Sequence, residues 1–192
     1  MTDITLHFQG PFTFIPGERS LFHCSAAKSA GIYLWTHRQN ADGSHLIHYI
    51  GETGSFAQRH RQHLIEILGM NYGIFDPDHA KIGKSTLLWP GLWRDPSADG
   101  PGELLGQYEA MTPTVIRYVH ALTVFFAPLE TETKFRKHVE GLIAWNLRTR
   151  HLEASALYPD DNYTSKNKAI TGVRLLISSA EPIQGLDREI AA

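Results

Sequence analysis

The chain has 192 residues, 42% of them apolar, enough for one sizeable core and too few for two comfortable domains. Its formal charge is −2, from 18 Lys+Arg against 20 Asp+Glu, so the surface as a whole does not attract a polyanion and any nucleic-acid contact needs a local basic patch. The lone cysteine, Cys24, excludes an internal disulfide and a thiolate zinc cluster. A reducing, cytoplasmic location without membrane contact is expected, because no apolar run approaches the ~20 residues that span a bilayer and no basic-then-apolar leader is visible.

Residues 4 to 15 alternate apolar and polar side chains up to Pro16-Gly17, which predicts a strand ending in a turn. Ala30 to Thr36 and Leu46 to Ile50 are short apolar, aromatic runs separated by the turn cluster Asn40-Ala41-Asp42-Gly43-Ser44, and together they predict an antiparallel hairpin. Ser55 followed by Gln58 has the spacing of a capping box, and Gly69 is a C-terminal stop, so a helix is predicted from about Phe56 to Leu68. Phe56, Leu64, Ile67 and Leu68 fall on one side of it, and Arg59 and His63 lie four apart along its edge.

Residues 70 to 112 are rich in Gly, Pro, Trp and Asp without a sustained period, and predict an ordered insertion. Its Trp89 and Trp93 read first as a plug holding the loop down, and second as stacking surfaces for nucleobases. Thr114 to Ala127, β-branched and aromatic, predicts a third strand, and residues 132 to 150 a second amphipathic helix. There Phe135, Val139, Leu142, Ile143 and Asn146 share a side, with Glu140 beside that stripe. After a polar loop, Val173 to Ile177 predicts a last strand. An α/β fold follows, α+β in another vocabulary, as a single domain over 1–192. A small central mixed or antiparallel sheet is flanked by helices; the core spans about 28–68 and 113–178, with an extra N-terminal strand and the 70–112 segment as decoration.

Gly31-Ile32-Tyr33, Tyr49-Ile50-Gly51 and Arg59, ten positions past Tyr49 (59 − 49), resemble the GIY-YIG nuclease superfamily. The resemblance covers Ala30 to His63 well and the region of Glu140 loosely, since Glu140 lies 81 positions past Arg59 (140 − 59) and the long insertion has to account for the excess. It implies a metal-dependent endonuclease that hydrolyses phosphodiester bonds in DNA, RNA remaining open, in one step without a covalent intermediate. Tyr33 and Tyr49 would match the two motif tyrosines, Arg59 the helix arginine, and Glu140 the metal-binding glutamate holding Mg2+, or another divalent cation such as Mn2+. His63 resembles the histidine that restriction-enzyme members carry four residues after the arginine. With 11 histidines in the chain it also fits an ordinary helix position.

Arg61 and His60 add charge to the same helix, either touching backbone phosphates or forming a solvated face. Where repair-nuclease members carry lysine three residues past the second tyrosine, this chain has Glu52. For the asparagine that follows the glutamate helix in the family, Asn167 is preferred to Asn162 because Lys166 and Lys168 flank it as further substrate contacts; Asn146 sits on the apolar stripe. One active site per chain nicks, so cutting both strands calls for a homodimer. Two rivals stand beside the nuclease: a nucleic-acid-binding module on the same scaffold that does not cut, and a protein-interaction domain using the aromatic insertion.

Overall fold

The structure is a computed structural model that describes residues 2–93, 100–158 and 172–191. It is a mixed α/β molecule of the α+β kind, in which a mixed sheet carries helices on both faces. Strands β1 (Thr2–Phe12), β2 (Gly31–Arg38), β3 (His45–Thr53), helix α1 (Phe56–Leu68), β4 (Ile74–Phe75), α2 (Pro77–Ala80) and β5 (Leu87–Trp89) precede a long helix, α3 (Gly100–Ala121). Strand β6 (Leu122–Pro128), helix α4 (Thr133–Arg150), β7 (Val173–Ser179), β8 (Ile183–Gln184) and β9 (Glu189–Ala191) complete the chain.

The main sheet runs β8-β3-β2-β6-β1-β7-β9, and β4 pairs with β5 in a small hairpin of its own. Strand β2 is buried along all but its last residue, because β3 and β6 pair antiparallel on either side and helices cover both faces. Its alternation splits the core. Ile32 and Leu34 point to the face packed by Val139, Ile143 and Leu147 of α4, whereas Tyr33 and Trp35 point to the face packed by Phe56 and Ile67 of α1 and Val115, Tyr118 and Val119 of α3. The β2–β3 register slips at Trp35, leaving His48 as an extra residue whose ring accepts from the Tyr118 hydroxyl at 2.9 Å and donates to Leu157 O at 3.1 Å.

Several expectations change. The N-terminal strand is no decoration: β1 lies inside the sheet, antiparallel to β6 and parallel to β7. The third strand begins at Leu122, not Thr114, since residues 114–121 form the last turns of α3 and bury Val115, Tyr118 and Val119 at helical spacing. Much of 70–112 therefore has regular structure: the β4–β5 hairpin, α2 and the first half of α3.

At the start of α1, Ser55 occupies the N-cap position but its side chain makes no cap bond; Thr53 Oγ1 instead accepts from Ser55 N–H and donates to Ser55 O, both at 2.9 Å. At the other end Gly69 is the C-cap with φ −77°, and the left-handed residue is Met70, φ 54°. Met70 N–H donates to Ile67 O and Asn71 N–H to Glu66 O, the paired bonds of a Schellman turn. Leu68, expected inside, is 39% exposed, and the helix buries His60 and His63 instead.

The first motif glycine has a packing reason. A Cβ on Gly31 would sit 2.2 Å from Ala127 O and 2.8 Å from the Phe126 ring, a backbone and a core aromatic that cannot both give way. Gly31→Ala is expected to lower unfolding stability by about 1–3 kcal/mol in urea titration. Gly102→Ala, where nothing lies within 4 Å, is expected to leave it unchanged or raise it. Equal effects of the two would refute the packing account.

Candidate active site

Pairing of β2 with β3 sets Tyr33 opposite Gly51 and Trp35 opposite Tyr49. A Cβ on Gly51 would fall 2.3 Å from both Cζ and the hydroxyl of Tyr33, so the missing side chain is what lets the Tyr33 ring lie across β3. The Tyr33 and Tyr49 rings then stand 6.0 Å apart at 31°. Arg59 comes from the first turns of α1, beside the Tyr33 hydroxyl.

A cleft of about 300 Å³ opens at this end of the hairpin, lined by Tyr33, Tyr49, Glu52, Thr53, Gly54, Arg59, Lys137 and Glu140. Helix α4 packs against the face of the sheet opposite to the tyrosines, yet Glu140, 1% exposed, reaches the same cleft. What brings it there is the ion pair between Arg136 Nε and Glu52 Oε2 at 3.0 Å, with side chains 6% and 15% exposed. Arg136 also donates to Thr131 O and, at 3.0 Å, to Thr133 Oγ1, so the start of α4 is tied to the end of β3. Glu140 follows one turn later on the same side of the helix, and Lys137 stands at the exposed rim. Glu52, which departs from the repair-nuclease pattern, is thus engaged by a helix.

Burial pushes the Tyr33 phenol well above its ordinary value, and neighbouring Tyr49 and Glu140 push the same way while Arg59 opposes them. Burial, with Glu140 behind it, pushes Tyr49 up to about 12. Both phenols carry their protons at neutral pH. The Tyr33 hydroxyl meets His63 Nε2 at 2.8 Å, and His63 Nδ1 meets the Tyr72 hydroxyl at 3.1 Å. His63 is 2% exposed, and burial, then the charges of Arg59 and His60, hold it at about 2. A neutral imidazole donates from one nitrogen and accepts at the other, so Tyr33, His63 and Tyr72 form one continuous hydrogen-bonded chain.

His60 is a satisfied core histidine rather than part of a solvated face. Its Nδ1–H donates to Phe56 O at 2.8 Å, its Nε2 accepts from Trp35 Nε1–H at 3.1 Å, and burial lowers it to about 4. Arg61 is exposed, lies outside the cleft lining, and holds its guanidinium 5.9 Å from the Phe22 ring centroid. Asn146 is buried and donates to Asp187 Oδ2 at 2.9 Å. Asn162, Lys166, Asn167 and Lys168 lie outside the described residues. The sequence reading missed Lys137 and Tyr72; Lys137 was within reach of it, since a residue three before Glu140 shares its helix face.

No group of three or more His, Cys, Asp or Glu that could cage a metal ion occurs among the described residues. The carboxylate of Glu140 in a polar, open cleft is a donor set suited to a hard cation that keeps most of its shell as water and phosphate oxygen, and unsuited to zinc. No helix among the described residues is long and apolar enough to cross a membrane. Comparisons with protein-family models, curated proteins and solved structures return no match.

Buried histidines make the fold acid-sensitive, and burial lowers His37 and His45 in the same sense as the three that follow. His48 and His60 at about 4 and His63 at about 2 all lie below the ordinary 6.5, so between those values the unfolded chain binds protons that the folded one does not. Stability is full above about pH 6.5 and drains as pH falls toward 4, at up to roughly 1.4 kcal/mol per pH unit for each histidine. His63→Gln is expected to flatten this slope between about pH 7 and pH 5 in urea titrations, and an unchanged slope would show that His63 takes no part. Glu52→Ala is expected to cost about 3 kcal/mol, because it strands a buried guanidinium. A loss within a few tenths of a kcal/mol would mean that the pair does not anchor α4.

Proposed function

We propose that the chain is a divalent-metal-dependent endonuclease of the GIY-YIG type, hydrolysing phosphodiester bonds in DNA. The observation that supports this most is that Tyr33, Tyr49, Arg59 and Glu140, brought from two strands and two helices in different layers, line one cleft. Hydrolysis needs a cation on the phosphate oxygens, a place for the water's proton and relief of charge on the leaving oxygen.

Arg59 presents the planar fork that grips a phosphate through two hydrogen bonds, and Lys137 at the rim adds a second positive charge. The attacking water hydrogen-bonds to Tyr33 Oη. A buried phenol is seldom ionised, so Tyr33 takes the water's proton only by passing its own to His63 Nε2 in the same event. His63 at about 2 does not keep a proton, and with its resting hydrogen on Nδ1 it hands that one to the Tyr72 hydroxyl, which is half-buried and releases to solvent. Each group ends neutral, and a proton passing the other way, from solvent through Tyr72 to His63 Nδ1 and from His63 Nε2 through Tyr33 to the cleft, restores the starting tautomer. Glu140 would hold the divalent ion, which when bound supplies charge relief to the phosphate and the leaving oxygen.

Supercoiled plasmid incubated with and without magnesium tests the reading. The native chain is expected to nick it, with Arg59→Ala, Tyr33→Phe and Glu140→Gln each slower by about 10²–10³. Lys137→Ala is expected to keep turnover at saturating DNA, weaken binding, and reduce the salt slope of affinity by about 1. Equal activity in all five proteins would assign the nicking to a contaminant. Salt-sensitive DNA binding by a native chain that does not nick would leave a binding module on this scaffold.

A further inference from the structure

The two tryptophans of the 70–112 segment have different fates. Trp89 is the plug: it is 4% exposed and its Nε1–H donates to Met70 O at 2.7 Å. Trp93, four residues on, is 64% exposed. Its backbone is nonetheless fixed, because Leu92 N–H donates to Met70 O and Trp93 N–H to Asn71 O, each at 3.3 Å. Gly91 makes that approach feasible: it has φ +87°, and a Cβ there would meet Asn71 O and the Tyr72 carbonyl carbon at 2.6 Å. A large flat ring is therefore presented outward from a backbone that these two hydrogen bonds tie to residues 70–71.

Its position relative to the cleft is specific. Trp93 meets the Tyr72 ring edge-on at 5.3 Å and 79°, Tyr72 lies 5.7 Å from His63, and His63 lies 5.8 Å from Tyr33, which lines the cleft. The charge of Arg59 also reaches Tyr72 and counters the rise that burial gives its phenol. An unbroken row of rings thus runs from the tyrosine beside the phosphate-gripping arginine to the exposed indole. Tyr72 touches Trp93 through the edge of a ring contact, so much of the indole remains available to another flat group.

We infer that Trp93 is a stacking platform for a nucleobase a few nucleotides from the scissile phosphate, and that the substrate therefore carries an unpaired base beside the cut. In a continuous duplex both faces of each base are already covered, so an indole gains a base only from a single strand, a flap, a bulge or an extruded nucleotide. The charge of the chain agrees, since a net −2 gives little general attraction to duplex phosphates and leaves stacking to supply affinity. This inference rests on the nuclease reading above and narrows its substrate.

The test measures binding without divalent metal to a labelled single strand, to the same strand with abasic sites, and to its blunt duplex, for the native chain, Trp93→Ala and Trp93→Phe. Trp93→Ala is expected to bind the single strand about five- to a hundredfold more weakly, with the salt slope unchanged, and Trp93→Phe to recover most of the loss. Abasic sites are expected to remove the difference, and blunt-duplex affinity to be the same in all three. A urea midpoint matching the native one excludes unfolding as the cause, in keeping with the exposure of Trp93. Native-like single-strand binding by Trp93→Ala, or an equal loss on duplex and single strand, overturns the platform while plasmid nicking keeps the nuclease. A native chain that neither nicks nor binds any of the three nucleic acids removes both. Unchanged binding together with a loss of self-association in Trp93→Ala would assign the indole to a protein contact and overturn the proposal.

Discussion

The pair between Arg136 and Glu52 holds two layers of the molecule in register. Nearly everything else in the cleft is local: Tyr33, Tyr49 and Arg59 come from a hairpin and the helix that follows it, and β-pairing plus a short turn place them. Lys137 and Glu140 are the exceptions, carried by a helix packed on the other face of the sheet. A buried ion pair contributes little net stability, because desolvating both charges offsets most of their attraction. What it does supply is position: alternative rotations or slides of α4 would leave Arg136 buried without its carboxylate. One charged contact in the first turn of α4 thereby sets where the carboxylate of the next turn lies.

Around the tyrosines the structure uses aromatic and imidazole rings as a stiff bed. His60 lies 4.7 Å from Tyr33 and 4.5 Å from Phe56, and Phe56 stacks on Phe126 at 4.2 Å. Each histidine there is neutral and has a partner on both nitrogens, which fixes ring orientations that apolar packing alone would leave free to rotate. The same burial that makes the bed rigid raises the phenols and lowers the imidazoles. The phenols and imidazoles beside the cleft therefore rest in their neutral forms at neutral pH.

The hairpin and α1 were legible because apolar aromatic runs flanking a turn cluster have few alternative structures. Co-location of Tyr33, Tyr49 and Arg59 follows from short-range connectivity. Helix α3 was not legible: Gly100-Pro101-Gly102, Gly106 and Pro113 argue against a helix locally, and the β-branched Thr114, Val115 and Ile116 argue for a strand. Burial of Val115, Tyr118 and Val119 at i, i+3 and i+4 overrode both. His60 was read as a phosphate contact or part of a solvated face and His63 as a site residue or an ordinary helix position, although 56, 60, 63 and 67 make a regular helical stripe once histidine is allowed inside. The role of Glu52 was hidden because its partner is 84 residues away (136 − 52) in another layer.

Strand β1 joins the beginning of the chain to its last third. It pairs in parallel with β7, so Asp3 lies opposite Arg174, 171 residues later, and a bidentate pair at 2.6 and 2.9 Å closes the join. Until residues 173–179 are made, β1 has a partner on only one side, and its other row of backbone donors and acceptors stays open to any strand that comes by. Such distant pairing makes assembly of the sheet slow, and exposes the nascent chain to sticking before β7 arrives.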